Sequence, residues 1–380
     1  MEFNFRGVTA ISGRPGTGKT SLAMRIAHEY LTRGKRVLWV SLYEDRETFL
    51  ENAARLGYDL SNAEFWDMIF VKTDAILNQI VSAVSQNEYH LVVADSISAL
   101  IEGAQSREWL TNAVYRVFKP AKIDFIGIAE EETTTPLDYI ADNLIRLELR
   151  MENGVAERRM YIIKARGRRA GYYIEFDILE GRGVVFIDEL PKPHKKNPWG
   201  KWVESLSPAF GPLACGHVYF LVGKMVTPLL AKTVAELSKE GLKILYRVFS
   251  GDIDIVSKLV EKFGGRAVVQ RASPSPLSHF THVKSLYDAL TETDADVVVS
   301  EGVDVEYLVY GKKALEINRL ETDELKNLGV TILASAQRDF GFGYFADAVA
   351  YIKRDQAVVY TPSGRAVCRF ETQPAPRLVC

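Results

Sequence analysis

Eight residues near the start of the chain, Gly13-Arg14-Pro15-Gly16-Thr17-Gly18-Lys19-Thr20, restrict its architecture more than any other stretch. They satisfy GxxxxGK[ST], follow the apolar run Val8–Ser12 and precede an amphipathic run at 21–33. Such a motif needs a strand to deliver the loop and a helix whose N-terminus closes it. The glycines let backbone N–H groups converge on phosphate oxygens, and the helix start adds partial positive charge. Lys19 is placed to reach the β- and γ-phosphates and the Thr20 hydroxyl to ligate Mg2+, with Ser21 completing the contact set. Residues 13–21 are therefore expected to form a P-loop for a nucleoside triphosphate within an α/β sheet.

A metal held against phosphates also needs an acid outside the loop. Asp95 ends the apolar stretch His90-Leu91-Val92-Val93-Ala94-Asp95, and in a parallel sheet that strand end lies at the ligand-binding carboxyl edge. A strand-terminal Asp alone is more often a cap or turn residue; beside a complete P-loop, the metal role is the better reading. Hydrolysis further requires a base near another central strand end. The strand expected at 37–42 leads into Tyr43-Glu44-Asp45, which makes Glu44 the first candidate and Asp45 the second. Both acids could equally serve to open the helix at 46–56.

The 380 residues exceed what one core usually holds, so two domains are expected. Strand-like runs at 8–12, 37–42, 90–95, 125–129 and 144–149 alternate with helical ones at 21–33, 46–56, 73–87 and 107–118. That alternation implies βαβ units and a mainly parallel sheet. Runs at 158–165, 172–179 and 183–187 read as an antiparallel addition at its edge. A polar, proline-bearing stretch follows, and we expect a first domain at 1–188, a linker at 189–210 and a second domain at 211–380. The second half echoes the first in order: Gly241-Leu242-Lys243-Ile244-Leu245 with Gly34-Lys35-Arg36-Val37-Leu38, and Tyr344-Phe345-Ala346-Asp347 with Tyr139-Ile140-Ala141-Asp142.

Basic and acidic residues nearly balance, 47 against 49, which excludes whole-molecule attraction to nucleic acid or an anionic membrane. Cys215, Cys368 and Cys380 form no CxxC pair, an argument against a zinc site or a disulfide framework and for a reducing compartment. With no apolar stretch long enough to span a bilayer and no signal-peptide core, a cytoplasmic location is expected.

These features together resemble the RecA superfamily and, within it, the KaiC-like ATPases. Val92-Val93-Ala94-Asp95-Ser96-Ile97-Ser98-Ala99-Leu100 is similar to that family's Walker B segment, and Asn52-Ala53-Ala54-Arg55-Leu56-Gly57-Tyr58-Asp59-Leu60 to its helix after the catalytic acids. Paired glutamates of the family match Tyr43 and Glu44 here, so one acid is retained and one replaced. Lys164-Ala165-Arg166-Gly167 resembles a segment that projects toward the γ-phosphate of a neighbouring subunit, which implies trans-acting roles for Lys164 and Arg166. Arg168 and Arg169 fall outside the match and read as a solvated basic turn. The resemblance implies tandem RecA-like domains, ATP and Mg2+ as ligands, ATPase activity, a homo-oligomeric ring, commonly a hexamer, and an unidentified protein partner.

Aligning Gly241 with Gly34 puts Phe220, Met225 and Val226 where the first half has Gly13, Gly18 and Lys19. Gly251 then replaces Glu44 and Glu301 replaces Asp95, so the second domain is expected to lack a working P-loop and, with it, the autokinase activity of clock-type relatives. Two alternatives stand beside an ATPase. One is a RecA- or RadA-related DNA-binding protein, against which the acidic Glu130-Glu131-Glu132 after the strand at 125–129 argues. The other is an ATP-gated module that does not hydrolyse, which the loss of an acid at Tyr43 favours.

Overall fold

The computed structural model describes residues 5–68, 73–86, 88–98, 111–130, 136–152, 155–272 and 279–380. Ala99 and Leu100, residues 107–110 of the expected fourth helix, Glu131 and Glu132 lie outside the described residues. The chain divides into two compact units, Met1–Leu190 and Pro191–Cys380.

Unit 1 is built on nine strands: β1 (Val8–Ser12), β2 (Val37–Ser41), β3 (Glu64–Asp67), β4 (Leu91–Asp95), β5 (Asp124–Ala129), β6 (Asn143–Glu152), β7 (Val155–Ala165), β8 (Tyr172–Leu179) and β9 (Gly183–Phe186). Their order in the sheet is β3-β2-β4-β5-β1-β6-β7-β8-β9. Pairing is parallel as far as β1–β6 and antiparallel from β6 to β9. The central strands are apolar on both faces because helices cover both. On one face, helix Lys19–Thr32 buries Leu22, Ala23, Ile26, Ala27 and Tyr30 at helical spacing against Ile11, Trp39 and Val93. On the other, Ile80, Val84, Val114 and Phe118 close over Val8, Ala10, Val40 and Val92. β3 has no counterpart among the expected strands: it is four residues long and half-exposed, too short for a periodic signal. The expected helix at 107–118 ends in a π-helical turn, Val114–Phe118.

Unit 2 repeats this plan. Its nine-stranded sheet runs β14 (Val268–Arg271), β13 (Ile244–Val248), β15 (Val297–Glu301), β16 (Thr331–Ala336), β12 (Val218–Val222), β17 (Ala348–Lys353), β18 (Gln356–Thr361), β19 (Gly364–Glu371), β20 (Arg377–Val379). Strand for strand the order matches unit 1, so the internal echoes in the sequence are a duplicated fold. The echoed Tyr-x-Ala-Asp runs show why they persist. Asp142 accepts the Val8 N–H at 3.1 Å and pairs with Lys119 at 3.1 Å, while Asp347 accepts the Val218 N–H at 2.8 Å and pairs with Lys326 at 2.9 Å. In each unit this aspartate ties the entry of the central strand to the helix before β5 or β16.

Two expectations need correction. Residues 189–210 are not a free connector. Glu189 grips Arg25 at 2.5 Å within unit 1, whereas Lys196 reaches Asp296 at 3.7 Å, and Val203, Leu206 and Ser205 are fully buried in unit 2. The stretch also supplies one strand of a short ribbon, β10 (Gly200–Lys201), paired with β11 (Leu213–Ala214) just beyond it. The lack of a CxxC pattern hid a disulfide as well. Pairing of Arg369 with Val379 across β19 and β20 brings Cys368 and Cys380 into register, and the two are bonded with their Cα atoms 4.2 Å apart. Cys215 is free. Among the described residues no helix is long and apolar enough to cross a membrane.

Candidate nucleotide site

The P-loop leaves β1 at Ser12 and turns into helix Lys19–Thr32 through Gly18, whose φ of 100° lies in the left-handed region. A side chain at Gly13 would put its Cβ 2.4 Å from the Leu147 carbonyl oxygen on β6, while the space beyond Gly16 is open. The loop is thus pinned at its base and free at its crown, as a cradle for phosphate requires. Lys19 is buried and donates to the Gly13 and Arg14 carbonyls at 2.8 and 3.1 Å. Burial lowers the pKa of its ammonium group, against the pull of Glu130 and Asp95.

The Thr20 hydroxyl donates to Asp95 Oδ2 at 2.8 Å. Burial pushes the Asp95 carboxyl up to about 6, although Thr20 and Lys19 act in the opposite direction. A buried carboxylate next to a hydroxyl is a hard-oxygen pair that a divalent cation would relieve. No cluster of three His, Cys, Asp or Glu side chains is available to hold a metal among the described residues. The hydroxyl and carboxylate oxygens of Thr20 and Asp95 fit Mg2+, which takes one or two protein oxygens and fills its remaining positions with phosphate and water.

Thr20, Asp95 and Glu44 line one cleft of about 740 Å3, together with Ser41, Asn52 and Glu130. Glu44 stands just past β2, its backbone N–H held by Ser41 Oγ at 3.0 Å, and its Oε1 accepts from the Asn52 side-chain amide. Asp45 is taken as the N-cap of helix Arg46–Arg55, accepting the Thr48 N–H at 2.9 Å, and that bond lowers its pKa. Both acids weighed line the cleft, but Asp45 is committed to the cap whereas Glu44 is held by Asn52. Tyr43 is exposed. The sequence reading missed Asn52 as the orienter of Glu44; its place eight residues on, two turns into the next helix, was the available signal. Glu130, directly after β5, was noted only as part of an acidic loop.

Lys164 and Arg166 are not part of this cleft. Lys164 pairs in register with Leu144 at the start of β6, at the sheet edge opposite the P-loop. Its Nζ donates to the Asp138 and Tyr139 carbonyls at 3.3 and 3.4 Å, and Arg166 bridges to Asp142 at 2.8 Å while 62% exposed. Arg168 stacks over Phe5 and Arg169 over Tyr172, so neither is merely solvated.

In unit 2 the equivalent loop is shorter, which corrects the ungapped alignment. A Cβ at Gly223 would lie 2.7 Å from the Ile352 carbonyl, the contact Gly13 makes with Leu147. Gly223, not Phe220, is therefore the counterpart of Gly13, and Phe220 is buried within β12. Thr227 bonds Glu301 as Thr20 bonds Asp95. Seven positions separate Gly13 from Thr20 but four separate Gly223 from Thr227. Three residues of cradle are gone, and Tyr246 fills the acid's other side, its hydroxyl donating to Glu301 Oε2 at 2.6 Å.

Comparison with known proteins agrees with this geometry. The family model "ATPase: KaiC" matches residues 3–190. Circadian clock protein KaiC2 of Synechocystis sp. is 28% identical over 200 residues, covering 47% of this chain and 35% of that protein. DNA repair protein RadA of Campylobacter jejuni is 26% identical over 193 residues, 47% of this chain and 42% of that protein. Protein GvpD2 of Halobacterium salinarum is 29% identical over 183 residues, 42% of this chain and 37% of that protein. This chain thus spans well under half the length of these relatives. Residues 3–190, with their P-loop and strand-end aspartate, belong to the KaiC-like ATPases of the RecA superfamily.

Proposed function

We propose that unit 1 binds ATP with Mg2+ and hydrolyses its β–γ phosphoanhydride. One observation supports this reading: Thr20, the last residue of the P-loop, with its partner Asp95 and the oriented Glu44, lines a single cleft. Lys19 would leave the loop carbonyls for the β- and γ-phosphate oxygens. Mg2+, held by Thr20 and Asp95, would offset the charge of those phosphates. Glu44, kept in place by Ser41 and Asn52, would accept a proton from the attacking water. Lys164 and Arg166, remote from their own cleft, are suited to reach the site of the next copy in a homo-oligomeric ring, where a cation stabilises the transferred phosphoryl group. Hydrolysis would be coupled to the conformation of that ring or to a protein partner, and the shortened loop of unit 2 leaves no site for autophosphorylation.

The test is phosphate release by the purified chain, with mass in solution measured with and without ATP and Mg2+. Absence of phosphate release overturns hydrolysis, undiminished turnover in Glu44→Gln overturns Glu44 as the base, and a monomer under all conditions overturns the trans-site assignment. A second reading, an ATP-gated module that does not turn over, is favoured by Tyr43 standing where an acid was expected. In a single-turnover experiment such a module would hold ATP unchanged for many minutes.

A further inference from the structure

The antiparallel ends of the two sheets carry opposite charge patterns on the face turned away from the helix after the loop. In unit 1, β6, β7 and β8 align Arg146 with Tyr161 and Tyr173, Glu148 with Arg159 and Glu175, and Arg150 with Glu157. Acids and arginines alternate and pair: Arg159 with Glu157 at 2.7 Å, Arg150 with Glu148 at 3.2 Å. In unit 2 the same face of β17, β18 and β19 aligns Tyr351 with Val358 and Val367, Lys353 with Gln356 and Arg369, and Tyr360 with Arg365. Along these strands the only carboxylate on that face, among the described residues, is Glu371, and Arg377 occupies it at 2.8 Å. Lys353, Arg365 and Arg369 are exposed and have no ion pair or hydrogen bond among the described residues.

A cleft of about 510 Å3 lined by Tyr344, Tyr351, Tyr360, Val349 and Asp339 adjoins them, Tyr351 lying two residues from Lys353 and Tyr360 pairing with Arg365. The loop that supplies Tyr344 is built rather than loose. Asp339 accepts the Gly341 and Gly343 N–H groups at 2.8 and 3.1 Å and the Tyr351 hydroxyl at 2.6 Å. A Cβ at Gly343 would meet the Asp339 carboxylate at 2.7 Å, so a side chain there would displace the acid that orders the turn. The result is Tyr344 held out with 93% of its surface exposed, facing a Tyr351–Tyr360 pair set edge-on at 6.0 Å. In unit 1 the loop at this place begins Glu130-Glu131-Glu132.

We propose that this face of unit 2 binds single-stranded nucleic acid, the three tyrosines receiving bases and Lys353, Arg365 and Arg369 receiving phosphates. Aromatic faces accept any base by stacking, and a row of unpaired cations beside them follows the backbone. A duplex hides its base faces and would leave the tyrosines without a role. A second copy of this face is disfavoured, since a self-complementary contact would set one cationic face against another. The proposal is independent of the ATPase reading, which rests on unit 1.

Anisotropy of a labelled twenty-nucleotide oligo(dT) or oligo(U), titrated with the full chain and challenged with duplex, provides the test. Three phosphate contacts on a single strand give a logarithmic salt slope near −2, so affinity should fall roughly fifteenfold between about 50 and 200 mM KCl. Arg365→Glu with Arg369→Glu should weaken binding at least about tenfold and flatten the slope. Tyr344→Ala, at a fully exposed ring, should weaken it roughly fivefold or more without shifting thermal unfolding. Absence of a salt-dependent shift, duplex binding as tight as single strand, or unchanged affinity in both variants would overturn the proposal. So would loss of self-association in the arginine double variant, which would make the face a contact between copies.

Discussion

The two units share one sheet order and one pair of strand-end contacts, yet their polar groups serve different ends. In unit 1 the Thr20–Asp95 pair opens onto a cleft, Asp95 is left uncomfortable by burial, and Lys19 is parked on carbonyls it could exchange for phosphate. In unit 2 the matching Glu301 is satisfied on both oxygens by Thr227 and Tyr246. A second buried cluster lies deeper: Glu321 binds Arg247 and, at 2.5 Å, His282. The difference teaches that the same fold holds buried charge either beside an open cleft or within a closed internal network.

Breaking the closed network should give the largest effect. Glu321→Ala strands the Arg247 guanidinium and should cost about 3–5 kcal/mol in denaturant unfolding of the chain; a loss under about 1 kcal/mol would mean water already serves these groups. The opposite outcome is expected at the open site. Lys19→Ala should reduce phosphate release roughly 10²–10³-fold with little change in stability, while Lys224→Ala, on the exposed stub of the shortened loop, should leave it unaltered. Glu44→Gln should slow turnover about a hundredfold yet keep ATP affinity, with Asn52→Ala showing a milder version.

Asp95→Asn should stabilise the ligand-free chain by about 1–2 kcal/mol at pH 7, because a raised carboxyl pKa costs stability once pH climbs through it. Glu301→Gln should bring no such gain. The smallest effect concerns pH. Burial lowers the His282 pKa, but the charge and hydrogen bond of Glu321 outweigh it and raise it overall. Its contribution is therefore fully present below about pH 6.5 and is lost as pH rises through the folded-state value. Unfolding midpoints should decline over that range, and His282→Gln should flatten the decline.

The P-loop motif, the strand that ends at Asp95 and the mainly parallel sheet with its antiparallel edge were legible in the sequence because each rests on local pattern: glycine spacing, an apolar strand ending in an acid, and alternation of periods. Asn52 and the Arg166–Asp142 bridge were not, since each depends on side chains brought together by packing rather than by spacing. The second loop was misread for a different reason. Matching Gly241 to Gly34 assumed equal lengths, whereas the missing residues lie between Gly223 and Thr227 and only the contact with Ile352 locates them. The connector at 189–210 failed similarly, because prolines and lysines that look solvated can lie along a surface by salt bridges such as Lys192–Glu324.

Gly13 and Gly223 carry a further lesson. Each abuts a carbonyl of the strand beside it, so the absence of a side chain is demanded by sheet packing whether or not phosphate ever binds. A glycine at the head of such a loop is therefore no marker, by itself, of a phosphate site. Lengthening the loop of unit 2 to that of unit 1 would take an insertion, which no point substitution can supply.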